Sequence, residues 1–130
     1  MHELHAIIKA ADDAINREDV DAVMDFYTED ATLVIKPGLN ATGKDQIRKA
    51  FISIAAYFNH SLHVTQDKMV VVEGGDTALV LAKAYLEAQD QTGTAFSLER
   101  DATYVFKKDP GGRWLCAVDN SYGTSLLGEA

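Results

Sequence analysis

The sequence predicts a single α+β domain in which helices come first and a curved antiparallel sheet follows. Three observations carry this. Apolar residues recur at helical spacing as far as Phe58, then switch to a period of two after His60. Turn sequences divide the second half into long runs of that alternating period, which read as strands. A length of 130 residues gives one ordinary domain, 1–130, long enough to bury a core without staples. Helices segregated from meandering strands are the α+β pattern, not the alternating units of a parallel sheet.

Taken in order, Leu4, Ile7, Ile8, Ala11 and Ile15 fall on one helical stripe, which Arg17-Glu18-Asp19 interrupts. Val20, Val23, Met24 and Tyr27 form a second, shorter stripe. Ala31 to Ile35 is a brief β-type run, stopped by Lys36-Pro37-Gly38. Thr42-Gly43-Lys44-Asp45 fits a capping box, and Ile47, Ala50, Phe51, Ile54 and Phe58 continue as a helix. Strands are predicted over Leu62 to Glu73, Thr77 to Gln89, Thr94 to Lys107 and Arg113 to Tyr122. Glu73-Gly74-Gly75-Asp76, Asp90-Gln91-Thr92-Gly93 and Asp109-Pro110-Gly111-Gly112 supply the turns. Strands of this length twist and curl, so one face becomes concave and receives the helices.

Composition narrows the function. The chain carries 20 acidic and 12 basic residues, a net charge of −8. That argues against a phosphate-backbone partner, which needs concentrated positive charge, and disfavours an anionic membrane surface. Cys116 is the single cysteine and sits in the apolar run Trp114 to Val118, where it reads as a small hydrophobe and not as a reactive thiolate. No apolar stretch approaches the length of a membrane span, and Met1-His2-Glu3 does not begin a signal segment. A reducing cytoplasm is the expected setting.

The chemistry is sought on the strand faces. Phe96, Leu98, Arg100, Ala102, Tyr104 and Phe106 alternate on one side of their strand, and this set is the expected concave face. Its one charge, Arg100, must pair with an acid, emerge at a rim or meet a ligand, because burial alone is very costly. Ala78, Val80, Ala82, Ala84, Leu86 and Ala88 leave space on the preceding strand, for close helix packing or for a cavity. Asp119, between Val118 and Asn120, either caps the strand end or faces a pocket. In a pocket, desolvation would raise its pKa into the range of a general acid or base. Tyr27 and Tyr104 are candidate cavity hydroxyls, and Phe58 is an apolar lining candidate. His60 and His63 are three apart, but no cluster completes a metal shell, so no metal is expected; His63 is retained as a pocket-mouth candidate.

The stretches Phe26 to Leu33, Pro37-Gly38, Gly43 to Arg48, Gly112-Arg113-Trp114 and Asp119-Asn120-Ser121 resemble the SnoaL-like and ketosteroid-isomerase-like branch of the nuclear transport factor 2-like superfamily. The resemblance covers nearly the whole chain and implies a cystatin-like, cone-shaped sheet around an apolar pocket. It also implies pairing of two copies through the outer sheet face, where Thr103 and Val105 lie. The isomerase's shuttle aspartate would stand before the proline, where this chain has Lys36. Its oxyanion-hole acid would fall near Ala102, with Asp101 one place away on the other face. SnoaL-like cyclases, whose acid/base aspartate lies close to Asp119, are the better match, and the resemblance implies acid/base chemistry of the cyclase, isomerase or hydrolase type. The Asp–Arg–Asp arrangement of limonene epoxide hydrolase is echoed by Arg100 and Asp119.

Two functions from different classes follow. The first is a cofactor-independent acid/base enzyme acting on a small, apolar, carbonyl-bearing compound, with Asp119 moving the proton and Arg100, Tyr27 or Tyr104 steadying oxyanion charge. The second is a non-catalytic ligand-binding or dimerisation module. The discriminating question is whether Asp119 and Arg100 converge on an enclosed cavity.

Overall fold

A computed structural model describes residues 2–128. Helix α1 (Glu3–Asn16) and the short α2 (Val20–Met24) open the chain. They lead into strands β1 (Tyr27–Lys36) and β2 (Leu39–Thr42), then helix α3 (Lys44–Tyr57). Four strands follow: β3 (His63–Gly74), β4 (Thr77–Gln89), β5 (Ala95–Lys108) and β6 (Trp114–Asn120), closed by a 3-10 turn at Gly123–Leu127. All six strands form one sheet in the order β2-β1-β6-β5-β4-β3. Each pairing is antiparallel except β1 with β6, which is parallel. The chain's first strand is thus closed against its last, which the meander pattern alone did not reveal. Among the described residues no helix is long and apolar enough to cross a membrane.

The concave face is the alternating set expected of β4 and β5. Ala78, Val80, Ala82, Ala84, Ala102, Tyr104 and Phe106 are buried there against Leu4, Ile8, Ala11, Ala14 and Ile47 of the helices. α1 packs over β3 and α3 over β1 and β2. The space left by the β4 alanines has both suggested uses: Ala78, Ala82 and Ala84 belong to the packed core, and Ala84 with Leu86 also lines a cavity.

Local structure departs from the sequence pattern in four places. Tyr27 opens β1 instead of closing a second helix; the Cys116 amide donates to Phe26 O at 2.8 Å, and Tyr27 is registered against Cys116. Sheet pairing outweighs a helical stripe only five residues long. β2 is a strand that the short Leu39-Asn40-Ala41-Thr42 run did not announce. The capping box is half formed. Thr42 Oγ1 is hydrogen-bonded to Thr32 Oγ1 across the hairpin, at 3.0 Å, and the Thr42 amide donates to Gln46 Oε1 at 2.9 Å. Gly43, at φ 85°, takes the cap position without a side-chain bond.

The fourth departure decides the site. Val118 is registered against Val105, but Cys116 against Phe106, so Ala117 is an extra residue bulging from β6. Simple alternation puts Cys116 and Asp119 on opposite faces. The bulge reverses the alternation, so that Asp119 follows Cys116 onto the concave face while Val118 turns outward.

On the outer face, the register aligns Val72, Leu79, Val105 and Val118 in one cross-strand row. Val70, Leu81 and Thr103 form the row beside it. Val70 and Val72 are 56% and 54% exposed.

Candidate functional site

The concave face, α1 and α3 enclose a cavity of about 880 Å³. Its walls are mostly aliphatic and aromatic, with Ile8, Ile15, Phe26, Leu33, Phe51, Ile54 and Leu86 among them. The mouth is marked by lining residues that reach solvent: Lys36, Leu39, Lys49, Tyr57 and Leu98. Polar groups converge at the deep end.

Asp119 is one of them. It stands opposite Tyr104 of β5 and Leu33 of β1, between two strands that both present concave-face residues. What remains accessible of the residue opens into the cavity. Tyr27 Oη donates to Asp119 Oδ2 at 2.5 Å. Burial raises the Asp119 pKa from 3.8 to about 6, and the tyrosine bond pulls the other way by favouring the carboxylate. Burial, and after it the same negative charge, pushes Tyr27 well above its ordinary value, so its proton stays on the phenol.

A second carboxyl, Asp12 of α1, lies across the same end of the cavity and is only 7% exposed. Gln66 Nε2 donates to its two oxygens at 3.3 and 3.1 Å and to Tyr104 Oη at 2.9 Å. Desolvation is the main reason that the Asp12 pKa rises from 3.8 to about 7; the Gln66 bond opposes the rise, and the charge of Asp119 adds to it. Gln66 Oε1 is buried and has no hydrogen-bond partner among the described residues. Because Tyr104 accepts from Gln66, its own O–H is uncommitted to any described protein acceptor and can serve a ligand. Tyr27 has no such freedom, since its proton is given to Asp119.

The structure brings together Asp119, Tyr27 and Tyr104 in the deep cavity, with Arg100, Leu98 and Phe58 also on the lining. The Arg100 guanidinium lies 4.1 Å above the Tyr122 ring and has no ion pair among the described residues. Phe96 stands behind Phe58, with ring centroids 5.6 Å apart, and supports that wall. His63 is not brought in: it opens β3 on the solvent side, registered against Glu87. His60 is hydrogen-bonded to Glu18 at the surface, at 2.7 Å. Cys116 is buried, and its thiol donates to Val118 O at 3.3 Å. Among the described residues no three metal-ligating side chains converge.

Asp12 and Gln66 were the residues that the sequence reading passed over. The signal was present, because Asp12 follows Ile8 by four and precedes Ile15 by three, inside the apolar stripe of α1. Gln66 alternates inward after Val64 in the same way.

The SnoaL-like domain model matches residues 8–116, a stretch that holds Asp12, Tyr27, Gln66, Arg100 and Tyr104 and ends just short of Asp119. No curated protein matches the chain in sequence. Several solved structures share its fold. Aln2 from a Streptomyces species has a TM-score of 0.81 at 15% identity, over 96% of this chain and 91% of that one. An NTF2-like protein with a cystatin-like fold from Novosphingobium aromaticivorans has a TM-score of 0.78 at 18% identity, over 98% and 88%. A ketosteroid isomerase-like protein from Erwinia carotovora atroseptica has a TM-score of 0.71 at 24% identity, over 88% of each chain.

Proposed function

Because the chain belongs to the SnoaL-like domain family, we propose that its cavity binds a small, largely apolar, carbonyl-bearing compound and transfers a proton on it without metal or redox cofactor. One observation carries the reading: two carboxyls share the deep end of an apolar cavity, and their surroundings hold them at about 6 and about 7. At neutral pH Asp119 is mostly ionised and accepts a proton from carbon beside the carbonyl. Asp12, with its pKa raised to about 7, is the carboxyl that can return one. Pairs of like groups with displaced pKa values are how a single site runs both halves of acid/base chemistry. The uncommitted Tyr104 hydroxyl is the donor suited to the developing oxyanion. A fold neighbour named ketosteroid isomerase-like fits the same class of reaction.

The test is hydrogen–deuterium exchange. Carbonyl compounds that raise the melting temperature are incubated with protein in deuterium oxide, and deuterium at the carbon beside the carbonyl is followed by NMR. Exchange should be catalysed by the parent and fall by at least a hundredfold in Asp119→Asn, with ligand-induced stabilisation retained. Stabilisation by such ligands without any exchange would leave a binding protein and refute the enzyme.

A specific feature also supports pairing of two copies. The outer rows Val72-Leu79-Val105-Val118 and Val70-Leu81-Thr103 form an apolar patch across four strands, larger than scattered surface hydrophobes require. Leu81→Glu should yield monomers where the parent sediments as a homodimer. A monomeric parent by light scattering at micromolar concentration would sink the pairing. A cytoplasmic setting belongs to the same reading, and the single buried thiol suits it.

A further inference from the structure

Five of the chain's basic side chains, Lys9, Arg17, Lys44, Arg48 and Lys83, lie within ion-pair distance of a carboxylate. The other seven have no such partner among the described residues, although acids outnumber bases 20 to 12: Lys68, Lys107, Lys108 and Arg113, which are not among the cavity-lining residues, and Lys36, Lys49 and Arg100. These last three share one location: all line the cavity. In a chain with surplus acid to neutralise them, cations left without carboxylates around one pocket are a place for a negative charge to arrive from outside.

Register fixes where that charge would sit relative to Asp119. Asp119 is opposite Leu33 and Tyr104. From that level β1 runs three residues to Lys36, and β5 runs back four residues to Arg100, so the backbone of the cations is displaced by ~10–13 Å toward the mouth. Tyr122 braces this level. Its hydroxyl donates to Ile35 O at 3.2 Å while its ring lies under Arg100. Lys49 approaches from α3, on the cavity-facing side that also carries Gln46 and Ser53. The cavity wall here is apolar, with Phe51 and Ile54 of α3 and with Ala84 and Leu86 of β4, which stand opposite Arg100 and Leu98.

We propose that the cavity is built for an elongated amphipathic anion, whose carboxylate is held at the mouth by Arg100, Lys36 and Lys49 while its apolar body reaches ~10 Å inward to the Asp119 level. The inference rests on the cavity being a ligand site and adds the charge and length of what it takes. It gives Arg100 a task in binding, at the far end of the ligand from the proton transfer. An arginine fork on a carboxylate beside an aromatic face is a more specific contact than either lysine, so the guanidinium should dominate.

Decanoate, decanol and decyltrimethylammonium share one apolar tail and differ in head charge, so their affinities by isothermal titration calorimetry isolate the head group. Decanoate should bind at least tenfold more tightly than decanol, and added salt should narrow the gap. Arg100→Gln should weaken decanoate roughly tenfold, and Lys36→Gln or Lys49→Gln by roughly two- to fivefold, with decanol affinity unchanged in each. Circular dichroism confirms that each variant folds, and the two lysine variants, at exposed positions, carry the test if Arg100→Gln does not. Equal binding of decanoate and decanol, or a preference for the cationic head, overturns the anion site while leaving the proton-transfer reading intact. Failure of all three to bind overturns the proposed length and charge together, and deuterium exchange on neutral carbonyl compounds then tells whether the cavity reading itself survives.

Discussion

Replacing Asp12 by asparagine should make the protein more stable, and increasingly so as pH rises. The carboxyl is buried, and its pKa is raised from 3.8 to about 7 chiefly by desolvation. In the folded protein it therefore holds a proton through a window in which the unfolded chain has lost it. Stability falls with pH wherever the unfolded state binds fewer protons, so Asp12 imposes no such cost below about pH 4 and a full cost above about pH 7. The displacement corresponds to ~4 kcal/mol in total. Asp119 adds a similar term that levels off near its own value of about 6. Between pH 6 and 7, of these two groups only Asp12 contributes, with a slope of ~1.4 kcal/mol per pH unit. In Asp12→Asn that slope should vanish, and the stability gain over the parent should grow by ~3 kcal/mol from pH 5 to pH 8. The added amide hydrogens have an acceptor at hand. If the Gln66 amide turns over, its unpartnered Oε1 takes the place of Nε2 beside residue 12. Urea unfolding at pH 5, 6, 7 and 8 measures the difference directly. Parallel stability–pH curves for parent and variant would mean that Asp12 is not desolvated in the folded protein, and the two-carboxyl argument would fall with it.

The two buried tyrosines should separate by role. Tyr104→Phe removes the hydroxyl free to serve a ligand and should lower the exchange rate on carbonyl compounds by ten- to a hundredfold, with little change in its pH profile. Tyr27→Phe removes the bond that favours the Asp119 carboxylate, so the acid limb of the pH–rate profile should move upward from about 6; identical profiles for the two variants would deny the distinction. Gly123 has φ 57°, and a Cβ there would stand 2.0 Å from Asp101 O of β5. Gly123→Ala should therefore cost at least ~2 kcal/mol and displace Tyr122 from Arg100, read as a fall in melting temperature together with weaker ligand binding. An unchanged melting temperature would show that this close approach is not structurally required.

The fold was legible because its signals are periodic and long. β3, β4 and β5 each run twelve residues or more, β4 and β5 alternate without interruption, and α1 and α3 each carry a sustained stripe. The site was legible only in part, because its determinants break the period. Asp119 drew notice as an acid among apolar residues, but alternation alone assigns it to the face opposite Cys116. The single extra residue at Ala117, visible only when β6 is paired against β5, turns it inward. Asp12 hid for the opposite reason: it obeys the stripe, and an acid within an amphipathic helix is commonly read as belonging to the wet side. Tyr27 continues the helical spacing of Val20, Val23 and Met24, whereas the competing parallel pairing with Cys116 is contributed from the far end of the chain. His63 looked like a mouth residue from its place at a helix–strand junction, and side-chain alternation at the start of β3 sends Val64 and Gln66 inward instead.

What distinguishes this cavity from mere loose packing is the cost of its polar end. A pair of carboxyls held out of water at about 7 and about 6 removes stability that apolar residues of the same size would leave in place. For a domain whose total stability is of order 5–15 kcal/mol, the ~4 kcal/mol attached to Asp12 alone is a large fraction. Nor does the arrangement look like one that minimises the cost. Gln66 spends both amide hydrogens on Asp12 and Tyr104 and leaves its own Oε1 without a partner, and Tyr104 is left with a proton that no described protein group accepts. An arrangement selected for folding alone would close those bonds among themselves. One that leaves a donor at Tyr104, an acid raised to about 7 at Asp12 and a carboxyl at Asp119 that opens into the cavity is poised for a molecule that brings the missing partners.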